Sequence, residues 1–157
     1  MTEDALRQLL AIYGPGLDAE VRLLLQLRHL ALAQHKASTS GALTSLVGIA
    51  QEREQTMAAL VKIEHELGPA RSALSTHREV VSHLEEFQQV SRLQRVAAEL
   101  VATIVHCDQD TLQALQDAEL ARRFAAQALE AGGETVAAYR RAMTPPVSGA
   151  GLVDRIG

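Results

Sequence analysis

The sequence predicts an all-α fold: an elongated antiparallel helical bundle, or coiled-coil-like hairpin, with one long C-terminal helix. Three observations predict it. Apolar residues keep three- and four-residue spacing through a proline-free stretch from Ala70 to Thr144. Aromatic residues make up only 3% of the 157-residue chain, so a core must be built from Leu, Ala and Val, which suit close-packed helices better than sheets. Four prolines, Pro15, Pro69, Pro145 and Pro146, each stand beside other breakers, as expected where helices end.

Thr2 to Tyr13 reads as a short helix capped by Thr2 and closed by Gly14-Pro15-Gly16. A second helical pattern runs from Leu17 or Asp18 to Lys36, with Asp18 placed to cap it and leucines around much of its circumference. Ser38-Thr39-Ser40-Gly41 then breaks the period. The next helix spans about Gly41 to Leu67, with Leu43, Leu46, Ala50, Met57, Leu60 and Leu67 as its apolar face and Gly68-Pro69 as its stop.

From Ala70 to about Arg141 the apolar steps hold a nearly coiled-coil phase through Val81, Leu84, Val90, Ala97, Ile104, Leu115 and Leu129. One long helix is expected, with its weak point at His106 to Asp110. Gly132-Gly133 is read as an interruption before a last segment, Glu134 to Met143, that carries Tyr139. Residues 1–143 are therefore expected to form a single helical domain, and 144–157 a flexible tail with an apolar end.

Composition narrows the function. A net charge of −4 gives no electrostatic reason to expect nucleic acid. Cys107 is the one cysteine, so no intrachain disulfide is expected. The start MTEDALRQLL places acids where a secretion signal has bases, and no apolar run reaches membrane-spanning length, so a cytoplasmic protein without membrane insertion is inferred.

Catalytic chemistry finds little support. His106 and Asp110 share a helix face, as do Glu79 and His83, but two ligands do not make a zinc site, and no Glu-x-x-His motif suits a di-iron bundle. No nucleophile motif and no phosphate loop is present. The chain is expected to be non-enzymatic, with no cofactor and no metal. His35-Lys36, followed by Gly41-Ala42-Leu43, is similar in part to the histidine helix of phosphotransfer domains, although a break stands between them here.

Apolar residues exceed one core stripe, which points to helix-mediated protein binding. The order of parts resembles the FlgN-type flagellar export chaperones of hook–filament junction proteins. The residues that carry this likeness are the leucine-rich Val21 to Ala33, then Leu43 to Leu46 and Gln51 to Leu60, then Ala138-Tyr139-Arg140-Arg141 and the closing Leu152-Val153-Asp154-Arg155. The resemblance implies a cytoplasmic chaperone that binds an amphipathic helical segment of a junction-protein client and delivers it to the type III export apparatus of the bacterial flagellum. It also implies that Tyr139 contacts export-gate components. The family commonly has glycine after this tyrosine, where Arg140 stands here.

Leu115, Leu120, Phe124, Leu129, Val136, Tyr139 and Leu152 are the candidate partner-binding residues. The alternative reading is a structural or oligomerising coiled coil, in which a homo-dimer satisfies the same apolar surplus.

Overall fold

The structure, a computed structural model, describes the backbone of residues 1–143 and side chains as far as Ala142. The expected tail, 144–157, and with it Leu152, lies outside the described residues. The fold is all-α, with no strand among the described residues. Helix α1 spans Glu3–Ser40, α2 Leu46–Thr76, α3 Arg78–Val81 and α4 Glu85–Met143. Chain contacts divide it into two compact units, Met1–Leu115 and Gln116–Gly157.

Helix α1 begins as the sequence asks. The Thr2 hydroxyl accepts a hydrogen bond from the Ala5 N–H at 3.3 Å, and Glu3 and Asp4 stand in the positive first turn. It ends at Gly41, whose φ of 74° is the left-handed cap conformation that favours glycine. A single 3-10 turn, Leu43–Ser45, then leads into α2.

The expected stop at Gly14-Pro15-Gly16 is corrected: α1 runs straight through it, with Pro15 inside the helix, and Asp18 lies mid-helix rather than at a cap. The reason is phase. Leu6, Leu10, Tyr13 and Leu17 lie on one buried stripe that continues through Val21, Leu24, Leu27 and Ala31. A proline in a helix costs about 3 kcal/mol, less than the burial of several large side chains on both sides of it. Pro15 and Ala11, whose carbonyl loses its helical partner, are both exposed, so water can satisfy that carbonyl.

Pro69 repeats the correction. Helix α2 continues past Gly68-Pro69 to Thr76, because Leu67 and Leu74 are buried on the same side. The buried face of α2 also differs from the expected one. It follows Thr56, Leu60, Ile63, Leu67, Ala70 and Leu74, whereas Leu43, Ala50 and Met57 are exposed.

The chain reverses instead between His77 and Leu84, inside the stretch expected to be one helix. There the His77 N–H bonds the Ala73 carbonyl, the short α3 follows, and the Ser82 N–H closes on Arg78. Val81 and Leu84 are buried in this corner and fix it by packing. Helix α4 then passes without a break through His106 to Asp110 and also through Gly132-Gly133, where an interruption was expected.

Within the first unit, α1, α2 and the first part of α4 form an up-down-up three-helix bundle. One end of its core joins Leu6, Leu10, Tyr13 and Leu17 to Leu67, Leu74, Val81 and Val90. The other end packs Val21, Leu24, Leu27 and Ala31 on Ala97, Leu100, Ile104 and Cys107. Rising numbers on α1 meet rising numbers on α4 and falling numbers on α2, so α1 and α4 are parallel and α2 is antiparallel to both.

A polar network crosses the middle of this core. The Arg71 guanidinium donates to Glu64 at 2.7 Å, to Glu20 at 3.0 Å and to the Tyr13 hydroxyl at 3.0 Å, and its carbon lies 6.0 Å from the centroid of the Tyr13 ring. Gln94 donates to the same hydroxyl at 3.4 Å, tying α4 into the set. Burial, together with the neighbouring Glu64 carboxyl, raises the Glu20 pKa to about 7. Hydrogen bonding from Arg71 holds Glu64 below the ordinary carboxylate range.

Candidate functional site

The antiparallel seam between α2 and α4 is pinned at one level by charge. Arg53 makes a bidentate ion pair with Asp108, and its Nη1 also donates to Gln34 of α1 at 2.7 Å. One turn away, Thr111 donates its only hydroxyl proton to the Cys107 carbonyl at 3.0 Å. His35 Nδ1 lies 3.1 Å from the same hydroxyl oxygen, so Nδ1 carries the proton and donates it. His35, which the sequence likened in part to the histidine of a phosphotransfer helix, is half-buried and tied to α4. Burial, with Asp108 beside it, raises the pKa of the Cys107 thiol.

Beside this pinned level lies an open depression of about 530 Å³, lined among others by Arg53, Met57, Asp108, Thr111, Leu112 and Leu115. Its apolar walls extend along the seam. On α4, Val101, Val105, Asp108, Leu112 and Leu115 follow one another at steps of four and three, so they share the side that carries Asp108 to Arg53. On α2, Arg53 and Met57 lie one turn apart on the matching side, and Val61, a turn further on, has drifted about 80° from Arg53 toward solvent. With Arg53 opposite Asp108 in an antiparallel pair, each step up α2 is a step down α4. Met57 therefore comes level with Ile104 and Val105, and Val61 with Leu100 and Val101.

These aliphatic side chains are far from buried: Met57 is 41% exposed, Val61 62%, Leu112 56% and Leu115 38%. The result is an apolar furrow with a charged crosspiece. It can accept the aliphatic face of another helix, with anchors spaced along the groove. Of the residues that line it, the sequence reading singled out Leu115 for binding and assigned Met57 to the core. The available signal was phase, because Met57 and Val61 fall off the Thr56, Leu60, Ile63 stripe by one position.

The other expected anchors lie in the second unit, whose described part is the α4 segment from Gln116 to Met143. Leu120, Phe124, Leu129, Val136 and Tyr139 are all exposed. Phe124, Leu129, Val136 and Tyr139 point to one broad side of the helix. Leu120 lies roughly 110° from the centre of that side and does not join them. On the remaining surface, Glu119 accepts from Arg122 at 2.9 Å and Arg123 at 3.1 Å, which lowers its pKa to about 2.

Among the described residues, no three of His, Cys, Asp and Glu gather where they could hold a metal ion, and no helix is long and apolar enough to cross a membrane. His106 and Asp110 do approach, at 3.5 Å, as an exposed pair one helical turn apart. No family model matches the sequence, and no curated protein or solved structure is significantly similar to it.

Proposed function

We propose that this protein is a non-enzymatic chaperone that holds an amphipathic helical segment of a partner protein in the furrow between α2 and α4. One observation carries this reading: Met57, Leu112 and Leu115 line an open depression between α2 and α4 and are left in contact with water, and exposed Val101 and Val105 follow at helical spacing on the same side of α4. A contiguous apolar surface of this kind marks a docking site more often than a scatter of single exposed residues does. A partner helix would present aliphatic residues at i, i+3, i+4 and i+7, and release would need no covalent step.

The resemblance noted in the sequence supplies the class of partner. A client of the hook–filament junction type would be held in the cytoplasm and passed to the export gate, with Tyr139, 65% exposed, as a contact for gate components. Arg53 and Asp108 satisfy each other at the groove floor, so an apolar anchor seated beside them leaves no buried charge unpaired.

Co-expression of the full chain with a junction-type protein tests the proposal. A stable complex is expected, and the pair Met57→Glu with Leu112→Glu should weaken it about 100-fold while leaving the helical circular dichroism intact. Undiminished binding by that folded double variant rules the furrow out. Failure of every junction-type protein to bind rules out the client class.

A further inference from the structure

The polar network of the first unit sets two acids against one cation. Arg71 Nη2 stands 3.0 Å from Glu20 and 3.2 Å from Glu64, so both carboxyl groups meet at one nitrogen. Nη1 donates to Glu64 at 2.7 Å, and Nε to the Tyr13 hydroxyl at 3.0 Å. With both acids ionised, the set carries one net negative charge inside the bundle. With Glu20 protonated it is neutral, and Glu20 then donates to the Glu64 carboxylate beside it. The other groups that face the set are Tyr13 of α1 and the uncharged Gln94 of α4. Asp18 and Arg22, on either side of Glu20 in the sequence, pair with each other at 2.7 Å.

The two acids differ in where they can go. The Glu20 side chain is 9% exposed, whereas that of Glu64 is 42% exposed. An ionised Glu20 has no route to water and must keep its counter-charge, while Glu64 reaches solvent by turning about its own side-chain bonds. Arg71 need not move for this, since Nη2 already bonds Glu20 and Nε is held by Tyr13.

We propose that Glu20, Glu64 and Arg71 form a proton-controlled switch between α1 and α2: loss of the Glu20 proton to solvent commits the Arg71 guanidinium to Glu20 and releases Glu64 to water. The bond from Arg71 to Glu64 lies within α2, two turns apart, and the bond from Arg71 to Glu20 crosses to α1. The proton therefore decides whether α1 and α2 are joined through a neutral acid or through an ion pair. Glu20 titrates at about 7, which places the exchange at neutral pH.

The proposal is independent of the α2–α4 furrow, so either can fail alone. Carboxyl-carbon NMR of the full chain, followed across neutral pH, reads the exchange directly. The Glu20 signal should titrate near neutrality. At the same pH the Glu64 signal should move to the position of a solvated carboxylate, although Glu64 is already ionised there. Glu64→Gln leaves Arg71 a single carboxylate, so it should lower the proton affinity of Glu20 at least about tenfold with the helical circular dichroism unchanged. A Glu64 signal that keeps its bonded position across the Glu20 transition overturns the proposal, and this wild-type measurement stands whether or not the variant folds. So does an unchanged Glu20 affinity in a folded Glu64→Gln protein, which would leave burial as the whole cause. Amide exchange along α1 and α2 that quickens above the transition, after correction for the intrinsic effect of pH, also overturns it, because the helices then part instead of exchanging a bond.

Discussion

The two parts of α4 have one repeat and two fates. From Val90 to Thr111 the core positions carry Leu93, Leu100 and Ile104, and these are buried or half-buried against α1 and α2. From Ala118 onward the same seven-residue positions carry mostly alanine, with Gly132, Thr135 and Tyr139 among them, and nearly every residue is exposed. Both stretches are helical, for different reasons. The first is held by burial of bulky side chains. The second relies on alanine's intrinsic preference for helix and on local pairs such as Glu119 with Arg122 and Arg123. Periodicity states where a helix would pack, and side-chain volume states whether it packs within its own chain.

The strongest way to break this comparison is to remove bulk from each stretch in turn. Ile104→Ala should cost about 3 kcal/mol in urea unfolding, from lost transfer energy and the cavity left between α1 and α4. Leu129→Ala, at a side chain 78% exposed, should change unfolding of the monomer by less than about 0.5 kcal/mol. Comparable losses at both sites would mean that the second stretch is buried against its own chain after all.

The carboxylates sharpen the contrast. Glu20 is buried in the first unit with its pKa raised to about 7, whereas Glu119, exposed in the second, is lowered to about 2 by two arginines. For Glu20 the folded state holds a proton that the unfolded state has already released, so its contribution is present below the ordinary carboxylate pKa and is lost as pH rises through about 7. Glu64, held low by Arg71, has the opposite sign: its contribution is lost as pH falls below the carboxylate range. Between pH about 5 and about 8 the wild type should lose on the order of 2 kcal/mol of stability that Glu20→Gln does not lose. Parallel stability profiles for the two proteins would show that Glu20 is ionised throughout.

Much of this was legible in the sequence, and what escaped it has physical causes. The Thr2 cap and the Gly41 stop follow from local chemistry, and the unbroken passage of α4 through His106 to Asp110 follows from the helical phase that Ile104, Cys107 and Thr111 keep across it. Pro15 and Pro69 misled because each sits on the exposed side of a helix whose buried stripe keeps phase across it. The reversal at His77 to Leu84 carries neither glycine nor proline, and what fixes it is the burial of Val81 and Leu84, a contact no local pattern announces. The exposed residues of the second unit were readable as surplus apolar positions. The furrow was not, since it exists only once Arg53 and Asp108 set the register of α2 against α4.

Glycine gives the smallest effect and the most direct comparison between the two regions. Gly16 lies on α1 where an added Cβ would collide with the Leu67 side chain, itself buried in the core and unable to withdraw freely. Gly133, in the second unit, has open space where a Cβ would stand. Alanine favours helix over glycine by about 1 kcal/mol, so Gly133→Ala should gain about that much local helix stability, read as slower amide hydrogen exchange around residue 133. Gly16→Ala receives the same propensity gain and should still lower global stability, by about 1 kcal/mol net, because the overpacking against Leu67 outweighs it. Stabilisation at both glycines would mean that α1 and α2 can separate slightly at no cost. Slower exchange at Gly133→Ala alone would place the limit on close packing in the first unit and on backbone freedom in the second.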